Sequence, residues 1–221
     1  MSIPKRRSAN SDSRATGRAG HYFAPEPAVA SRPRTLRLRL DEREIELQAD
    51  RGVFGSRGID LGTQVLIREA PLPPTSGVLL DLGCGYGPIA IALAVRAPDA
   101  QVWAVDVNER ALELTRANAK AAGTANVQPA RPEDVPADAR FDAIYSNPPV
   151  RVGKAPLHDL LLRWLPRLRA GGRAYLVVQR NLGSDSLASW LAGQGFAVER
   201  LKSKKGYRVL EVRAGTGRDS A

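Results

Sequence analysis

The sequence predicts an α/β domain built on a doubly wound, mostly parallel sheet of about seven strands. From Val78 onward, short apolar strand segments alternate with helical segments behind glycine turns, the pattern of parallel strands covered by helices on both faces. Near the end of the chain, the apolar segments 196–201 and 207–212 are separated only by residues 202–206. That link is too short for a parallel crossover, so the pair predicts an antiparallel hairpin. Residues 35–47 predict a separate β-hairpin ahead of the domain.

The N-terminal region divides into a tail and an extension. Residues 1–20 contain mainly Ser, Arg, Ala and Gly with no apolar period, which predicts a disordered basic arm. The extension spans residues 21–75, in which polar and apolar residues alternate on both sides of a turn at 41–43. A short helical pattern after Ile59 then ends at the prolines of 71–74. The sequence further predicts a main domain at residues 76–213 and a flexible tail at residues 214–221.

Within the main domain, each predicted element follows from an apolar run and its flanking breakers. The strands are predicted at 78–80, 102–105, 127–130, 141–145 and 173–178. The helices are predicted at 88–96, 109–122 and 157–168, with Gly171-Gly172 as the C-cap of the last one.

Composition narrows the classes of protein. With 221 residues, 43% hydrophobic and 25% charged, the chain suits one soluble α/β domain and is too short for two. A single cysteine, Cys84, excludes a disulfide framework and a cysteine-built zinc site, and its expected role is packing. No apolar run approaches the roughly 20 residues that span a bilayer, and no secretion signal is recognisable. We therefore expect a cytoplasmic protein with no membrane partner and no metal.

The formal net charge of +10 predicts attraction to polyanions, with nucleic acid the first candidate. About +4 of that charge lies in residues 1–20, so the body of the protein is basic in its own right. The alternative interpretation is that the arginines only solvate the surface. Composition alone leaves both open.

The segment Asp81-Leu82-Gly83-Cys84-Gly85-Tyr86-Gly87 follows the first buried strand and opens a helix, where nucleotide-type ligands bind in α/β sheets. Glycines at 83, 85 and 87 allow a tight turn and a close approach of the backbone to a ligand. A dinucleotide fingerprint would require a third glycine at position 88, where the chain has Pro88. Hydride-transfer chemistry is therefore disfavoured.

Acidic residues follow the next two strands. Asp106 ends the second strand, where a carboxylate can accept hydrogen bonds from both hydroxyls of a ribose, although an acid at a helix N-terminus is the alternative. Asn108 beside it is expected to cap the following helix. In the S-adenosylmethionine-dependent enzymes that this glycine loop resembles, an acid or amide after the third strand usually contacts the adenine amino group. Glu133 or Asp134 is the candidate for that contact here, the spacing does not choose between them, and solvated turn acids are the alternative.

The fourth strand ends in the motif Ser146-Asn147-Pro148-Pro149. This motif indicates that the group acted on is a planar amino group. An exocyclic amino group on a base is a poor nucleophile because its lone pair is delocalised into the ring. The side-chain carbonyl of Asn147 and the backbone carbonyl of Pro148 can each accept one N–H and hold that nitrogen in line for attack. The two prolines stiffen the loop and remove two competing N–H donors.

Together these motifs resemble class I S-adenosylmethionine-dependent methyltransferases with an Asn-Pro-Pro signature, and most of all the bacterial ribosomal RNA guanine-N2 enzymes of the small-domain methyltransferase family. The resemblance covers roughly residues 20–213, including His21-Tyr22-Phe23, Asp60-x-Gly62-Thr63 and 205–208. It implies a Rossmann-like fold, S-adenosylmethionine as methyl donor and RNA as substrate. The cofactor-binding residues would be Asp81, Gly83, Gly85, Gly87, Asp106, Asn108 and Asn147, and the transfer site would comprise Asn147, Pro148 and Pro149. Many relatives carry two such domains, one of them used for RNA, whereas this chain has one.

One position departs from the family pattern. The residue after the second proline is usually an aromatic that stacks on the target base, and here it is Val150. Stacking would have to come from Tyr207 or Phe54, although aromatic residues at strand ends also serve as packing. The missing aromatic makes the adenine-N6 and protein-glutamine versions of the motif less apt.

Basic residues cluster in the loops expected beside this site, where phosphate contacts would position an RNA strand. They are Arg151, Lys154, Arg180, Lys202, Lys204, Lys205 and Arg208, and Tyr207 is grouped with them as an RNA contact. His21 and His158 have no partner that suggests a metal or a proton relay and are expected to be structural. The function favoured by the sequence is therefore methylation of guanine N2 in ribosomal RNA. The alternatives are methylation of a protein glutamine or a small molecule, or a non-catalytic RNA-binding relative.

Overall fold

The computed structural model describes residues 29–215 of the chain. The predicted arm at 1–20, the first part of the extension with His21, and the end of the predicted tail lie outside the described residues. The described part begins with an antiparallel hairpin of β1 (Arg34–Leu40) and β2 (Arg43–Ala49). The predicted N-terminal hairpin is thereby confirmed.

After the hairpin, helices and strands alternate along the chain. The elements are α1 (Leu61–Glu69), β3 (Ser76–Leu82), α2 (Pro88–Arg96), β4 (Asp99–Val105), α3 (Glu109–Ala121), β5 (Val127–Ala130), β6 (Phe141–Ser146), α4 (Lys154–Trp164), β7 (Leu168–Gln179), α5 (Ser184–Gly193), β8 (Phe196–Lys204) and β9 (Tyr207–Ala214). Strand β9 includes Ala214, one residue beyond the predicted end of the domain. None of the helices in the described part is long and apolar enough to cross a membrane.

Seven of the strands form one sheet in the order β5-β4-β3-β6-β7-β9-β8. Neighbouring strands from β5 to β7 run parallel, and β9 pairs antiparallel with both β7 and β8. The chain order reverses between β3 and β6, so a crevice forms beyond their carboxyl ends. Tyr207 pairs with Gln179, which places the start of β9 at that same edge. The predicted parallel sheet with its antiparallel C-terminal hairpin is confirmed.

The sheet is covered on both faces, which makes a three-layer domain. One apolar cluster joins the hairpin, α1, α2 and α3 to one face of the sheet, and a second joins α4 and α5 to the other. Leu79 and Leu80, adjacent on the central strand, are fully buried in opposite clusters. Burial on both faces explains why the strand segments are continuous apolar runs.

The predicted end of the helix before β7 is wrong. Helix α4 stops at Trp164 and does not extend to 168, because Pro166 lacks an N–H and its ring clashes with the preceding helical turn. Gly171 and Gly172 are not a helix cap but belong to an irregular stretch of β7, where the register with β6 shifts. A Cβ at Gly172 would lie 2.9 Å from the Arg169 carbonyl oxygen, so the backbone there is too crowded for a side chain.

Helix α5 has no counterpart among the elements predicted from the sequence. Its N-cap is Gly183, with a φ of 99° and no side-chain cap, so the usual Ser, Thr, Asp or Asn signal at a helix start is missing. The imidazole of His158 on α4 stacks on Trp190 of α5, with ring centroids 3.5 Å apart. This contact confirms the structural role expected for His158.

A buried asparagine on α3 ties the hairpin to the domain. Asn118 is 1% exposed; its Oδ1 accepts from the Gln48 N–H at 2.7 Å, and its Nδ2 donates to the carbonyls of Gln48 and Tyr86, each at 2.8 Å. Both amide hydrogens and one lone pair of the amide oxygen thus link β2, α3 and the glycine loop. The sequence offers no local signal for this contact because its partners are 70 and 32 residues away.

We expect Asn118→Ala to lower the free energy of unfolding by about 2–4 kcal/mol, because it leaves one buried and two partly buried backbone groups without partners. Urea denaturation measures the loss. Gln128→Ala is the matched control, since that amide is exposed and bonds only to the Gln101 side chain, and it should cost less than about 0.5 kcal/mol. Equal losses in the two variants would contradict the assigned role of Asn118.

Candidate active site

The glycine loop between β3 and α2 folds over the end of β4. The N–H groups of Gly83 and Cys84 donate to the Val105 carbonyl at 2.8 and 3.0 Å. Gly83 is exposed with a φ of 78°, and a Cβ there would meet nothing within 4 Å, so its outer side faces open space. At Gly87, with a φ of 90°, a Cβ would lie 2.9 Å from the Thr115 side chain. Gly83 is therefore placed for the close approach of a ligand, whereas Gly87 lets α2 pack on α3.

Asp81 lies beneath this loop and is 0% exposed. Its Oδ2 accepts from the Ala90 N–H at 2.8 Å, in the first turn of α2, while its Oδ1 has no partner among the described residues. The N-cap of α2 is Gly87, which has no side chain to cap the helix. Asp81, on strand β3, caps the helix instead. Its role in the structure is to set the loop, and its predicted contact with a cofactor stays a prediction.

Burial raises the pKa of Asp81 to about 8, with the Ala90 N–H opposing the rise and the charge of Asp106 adding to it. An unfolded aspartate has a pKa of about 3.9. Between these values the folded state binds more protons than the unfolded state, so the free energy of unfolding should fall as the pH rises.

We expect Asp81→Asn to remove most of this pH dependence between about pH 5 and 8, because the amide can still accept from Ala90 and does not ionise. Urea denaturation at both pH values measures it. Asp138→Asn, at an exposed position, should keep the wild-type slope. An unchanged slope in Asp81→Asn would show that burial of this carboxyl does not set the pH response.

Asp106 and Asn108 follow β4, the strand next to β3, at the carboxyl edge of the sheet. The half-buried carboxylate of Asp106 accepts from the Gly85 N–H at 2.9 Å and from the Asn108 N–H at 3.0 Å. Burial raises its pKa, while these N–H groups oppose the rise. Asn108 caps α3 by accepting from the Ala111 N–H at 3.3 Å, and its Nδ2 donates to the Gly52 carbonyl. The expected cap is confirmed, and the contact of Asn108 with a cofactor stays a prediction.

The acids after β5 are exposed. Glu133 forms an ion pair with Arg131 at 3.7 Å, and the Asp134 N–H donates to the Arg131 carbonyl at 3.1 Å. Neither side chain lines the pocket described below. The choice between them as an adenine contact stays open.

Asn147, at the end of β6, is held by residues of the N-terminal extension. Its Nδ2 donates to Asp60 Oδ2 at 2.7 Å and to Thr63 Oγ1 at 3.0 Å. Asp60 is also the N-cap of α1, accepting from the Thr63 N–H at 3.2 Å. Both amide hydrogens of Asn147 are thus occupied, which orients its Oδ1 as the free acceptor. Sequence reasoning missed Asp60 and Thr63 as site residues, although their stretch was part of the resemblance.

The two prolines form a tight turn after Asn147. Pro149 has φ −75° and ψ 69°, and the Val150 N–H donates to the Pro148 carbonyl at 2.8 Å. The expectation that the prolines leave the Pro148 carbonyl without a competing N–H donor is therefore wrong, since Val150 supplies one. The oxygen keeps one further lone pair.

One pocket brings the glycine loop and the Asn-Pro-Pro segment together. Its lining includes Gly83, Gly85, Tyr86, Asp60, Phe54 and Asn147. The Tyr86 hydroxyl is buried with no hydrogen-bond partner in the described part of the chain. Burial, with the nearby charge of Asp60 adding, raises the pKa of Tyr86, so its hydroxyl keeps the proton. The Tyr86 hydroxyl, unpaired among the described residues, and the open backbone of Gly83 are the features of this pocket that suit a polar ligand such as the amino-acid arm of an adenosyl cofactor.

The two proposed stacking residues differ in position. Phe54 is 43% exposed and lines the pocket with Asn147. Tyr207 packs against α1, where a Cβ at Gly62 would lie 2.8 Å from its ring. Burial and the charge of Asp60 raise the pKa of Tyr207. Tyr207 therefore lies near Asp60, at the side of the site formed by the N-terminal extension.

The basic residues of the predicted RNA track lie at the carboxyl edge, but some have acidic partners. Lys204 contacts Glu69 at 2.6 Å, and Arg208 forms an ion pair with Asp185. The members that form no ion pair with any described residue are Arg151, Lys154, Arg180, Lys202 and Lys205. The predicted track is therefore partly neutralised.

Comparison with known proteins agrees with this geometry. The family model "Methyltransferase small domain" matches residues 44–211. An uncharacterized protein of Bacillus subtilis (strain 168), YbxB, is 34% identical over 87% of this chain and 98% of its own length. Ribosomal RNA small subunit methyltransferase C of Shewanella amazonensis is 33% identical over 83% of this chain and 56% of its own length.

Among solved structures, the 16S rRNA N2 G1207 methyltransferase (RsmC) of T. thermophilus, in complex with AdoMet and guanosine, has a TM-score of 0.71 and 27% identity. The match covers 85% of this chain and 52% of that one. This chain thus spans about half the length of the ribosomal RNA methyltransferases that it matches, and nearly all of YbxB.

Proposed function

The chain belongs to the methyltransferase small domain family, and from that premise we propose that it transfers a methyl group from S-adenosylmethionine to N2 of a guanine in ribosomal RNA. The observation that carries the proposal is the orientation of Asn147, whose two amide hydrogens are held by Asp60 and Thr63 and whose Oδ1 is left to accept. The relatives named for guanine-N2 and ribosomal RNA methylation support the same acceptor.

The cofactor would lie across the glycine loop. Gly83 presents open backbone, and Asp106 keeps lone pairs for ribose hydroxyls beyond the two N–H groups it already accepts. When bound, the cofactor supplies an electrophilic methyl group on a sulfonium. The fully buried Asp81 holds the loop from below by capping α2.

The acceptor amine would be held by Asn147 and its neighbours. The Oδ1 of Asn147 accepts one N–H of the amine, and the remaining lone pair of the Pro148 carbonyl accepts the other. The Asp60 carboxylate, whose Oδ2 is 2.7 Å from the Asn147 amide nitrogen, keeps that amide turned so that its oxygen faces the amine. Phe54, exposed at the pocket, is the residue we propose stacks on the base in place of the aromatic missing at Val150.

Asp60 acts through Asn147, so it is a positioning residue. We expect Asp60→Ala to lower the turnover number about 10- to 100-fold, because the Asn147 amide is then free to rotate. The KM for S-adenosylmethionine should not change, and Asp60→Asn, which keeps an oxygen acceptor, should restore part of the rate. Loss of the α1 cap alone would lower stability by about 0.5–2 kcal/mol without this split between turnover and KM.

Mass spectrometry of nucleosides tests the proposed reaction. Ribosomal RNA from cells lacking the gene should lose N2-methylguanosine, and the purified protein should restore it with labelled donor. Ribosomal subunits, free RNA and protein fractions are offered in parallel. Label found only in protein, or in methyladenosine, would overturn the guanine assignment.

A further inference from the structure

A second concave surface, distinct from the transfer pocket, is lined by arginines. It spans about 940 Å³ of space open to solvent, between the start of β1 and the loop after β2. Four arginines line it, and all four are exposed: Arg32, Arg34, Arg51 and Arg57. We call it the arginine groove.

These arginines form no ion pair with any residue in 29–215. The nearby carboxylate, Asp50, is 5% exposed and already engaged. It accepts from the backbone N–H groups of Arg32 and Arg51, and it lies 3.8 Å from the Arg110 guanidinium. Asp50 therefore fixes the backbone of the groove and leaves the guanidinium groups of its lining without a carboxylate partner among residues 29–215.

A neighbouring groove provides an internal contrast. It contains about 810 Å³ of empty space, and its lining includes Arg37, Arg39 and Arg68. Arg37 and Arg39 are paired with Glu44 at 3.5 and 3.4 Å. The third arginine, Arg68, forms no ion pair with a described residue, so this groove is partly neutralised, and its lining is more apolar than that of the arginine groove. The two grooves thus differ in how many of their guanidinium groups have acidic partners.

The arginine groove adjoins the transfer pocket through a shared loop. Residues 51–57 contribute Arg51 and Arg57 to the groove, and the same loop contributes Phe54 and Gly55 to the pocket that contains Asn147. The loop is anchored to the cofactor side by Asn108, which donates to the Gly52 carbonyl at 3.0 Å. The same loop therefore lines both the arginine groove and the transfer pocket.

We infer that the arginine groove binds the phosphates of the RNA strand next to the target nucleotide. Guanidinium groups without carboxylate partners are the usual contacts of nucleic-acid phosphates, and such contacts position a strand without reading its sequence. The groove lies on the N-terminal extension, outside the basic track at the carboxyl edge, where Lys204 and Arg208 already have acidic partners. The inference rests on the proposed function for the identity of the strand.

The test compares two triple variants with the same change in net charge. Arg32, Arg34 and Arg57 are replaced by glutamine in the groove variant, and Arg37, Arg39 and Arg68 in the control. Binding of a fluorescent ribosomal RNA fragment is measured by anisotropy between 50 and 200 mM KCl. Losing three phosphate contacts should reduce the slope of log Kd against log salt by about two. The control slope should change by less than about half as much, and Kd at 100 mM salt should rise about tenfold or more only in the groove variant.

Methylation kinetics supply the second readout. The groove variant should raise the KM for RNA with little change in the turnover number, and its activity on free guanosine should match wild type. Equal changes of slope in the two variants, or no RNA binding by the wild-type protein, would overturn the inference. So would loss of binding to an acidic protein without loss of RNA binding.

The two proposals fail in different ways. If the wild-type protein binds RNA through the groove but methylates no guanine, the proposed function is wrong and the groove stands. If guanine methylation persists with an unchanged KM for RNA in the groove variant, the groove is wrong and the function stands. Circular dichroism and melting temperature confirm folding, which these exposed side chains should not disturb.

Discussion

Replacement of Asn147 by alanine should lower the rate of methyl transfer by about 10³-fold while affinity for the demethylated cofactor stays within about threefold of wild type. The physical reason is that an aromatic amine must be held so that its lone pair points at the methyl carbon. The Oδ1 of Asn147 is the acceptor left free for that purpose, because Asp60 and Thr63 occupy both hydrogens of its amide. Removing it leaves the amine in the pocket without its aligning contact.

Single-turnover transfer of labelled methyl to ribosomal RNA measures the chemical step, and calorimetry with S-adenosylhomocysteine measures cofactor binding. Asn181→Ala is the matched control, since Asn181 is an exposed asparagine in the turn after β7, and it should keep the wild-type rate. A rate within tenfold of wild type in Asn147→Ala would show that the aligning contact comes from another group. Loss of cofactor binding in that variant would instead assign Asn147 to the cofactor side.

The features predicted well from the sequence are those set by local chemistry. Helix α2 begins at Pro88 and ends at Arg96 as predicted, because a proline at N1 follows a glycine turn and the apolar run has clear limits. Strand β5, Val127–Ala130, also matches its prediction. The antiparallel C-terminal pair followed from the length of its connection alone.

The features that sequence reasoning missed depend on contacts between distant residues. Asp60 bonds to Asn147 across 87 residues, and within its own segment it has the pattern of an ordinary helix cap. Asn118 binds the hairpin across 70 residues with no local signature. Acidic partners of the basic track, such as Asp185 for Arg208, are likewise set by the fold. Local propensity gives the scaffold, whereas the orientation of the catalytic amide and the distribution of free charge arise from tertiary packing.

The structure also changes the interpretation of the first motif. From the sequence, Asp81 and the three glycines form one ligand-binding set. In the fold their roles divide: Asp81 caps α2 from below, Gly87 makes room for Thr115, and Gly83 faces open space. A motif of this kind therefore combines residues that shape the loop with a residue whose backbone is open to a ligand.

Asp106 should be essential for cofactor affinity, and Asp106→Ala should raise the Kd for S-adenosylmethionine about 100-fold or more. A carboxylate that accepts two ribose hydroxyls makes two charge-assisted hydrogen bonds, each worth about 1.5–3 kcal/mol. Its two oxygens already accept from Gly85 and Asn108, so the variant also loosens the loop under the cofactor. Isothermal calorimetry with S-adenosylmethionine and its demethylated product measures the loss. Asp138→Ala is the control, with the same change in charge at an exposed site.

The pH dependence of cofactor binding distinguishes the effect of the negative charge of Asp106 from the effect of its side-chain shape. Because burial raises the pKa of this carboxyl, its protonation on acidification should begin above the usual range for aspartate. Cofactor affinity of the wild type should therefore fall as the pH is lowered, since a protonated acid is a weaker acceptor for ribose hydroxyls. Asp106→Asn should bind weakly at every pH and lose this dependence. A variant that keeps wild-type affinity would mean that the loop backbone, and not the carboxylate, holds the ribose.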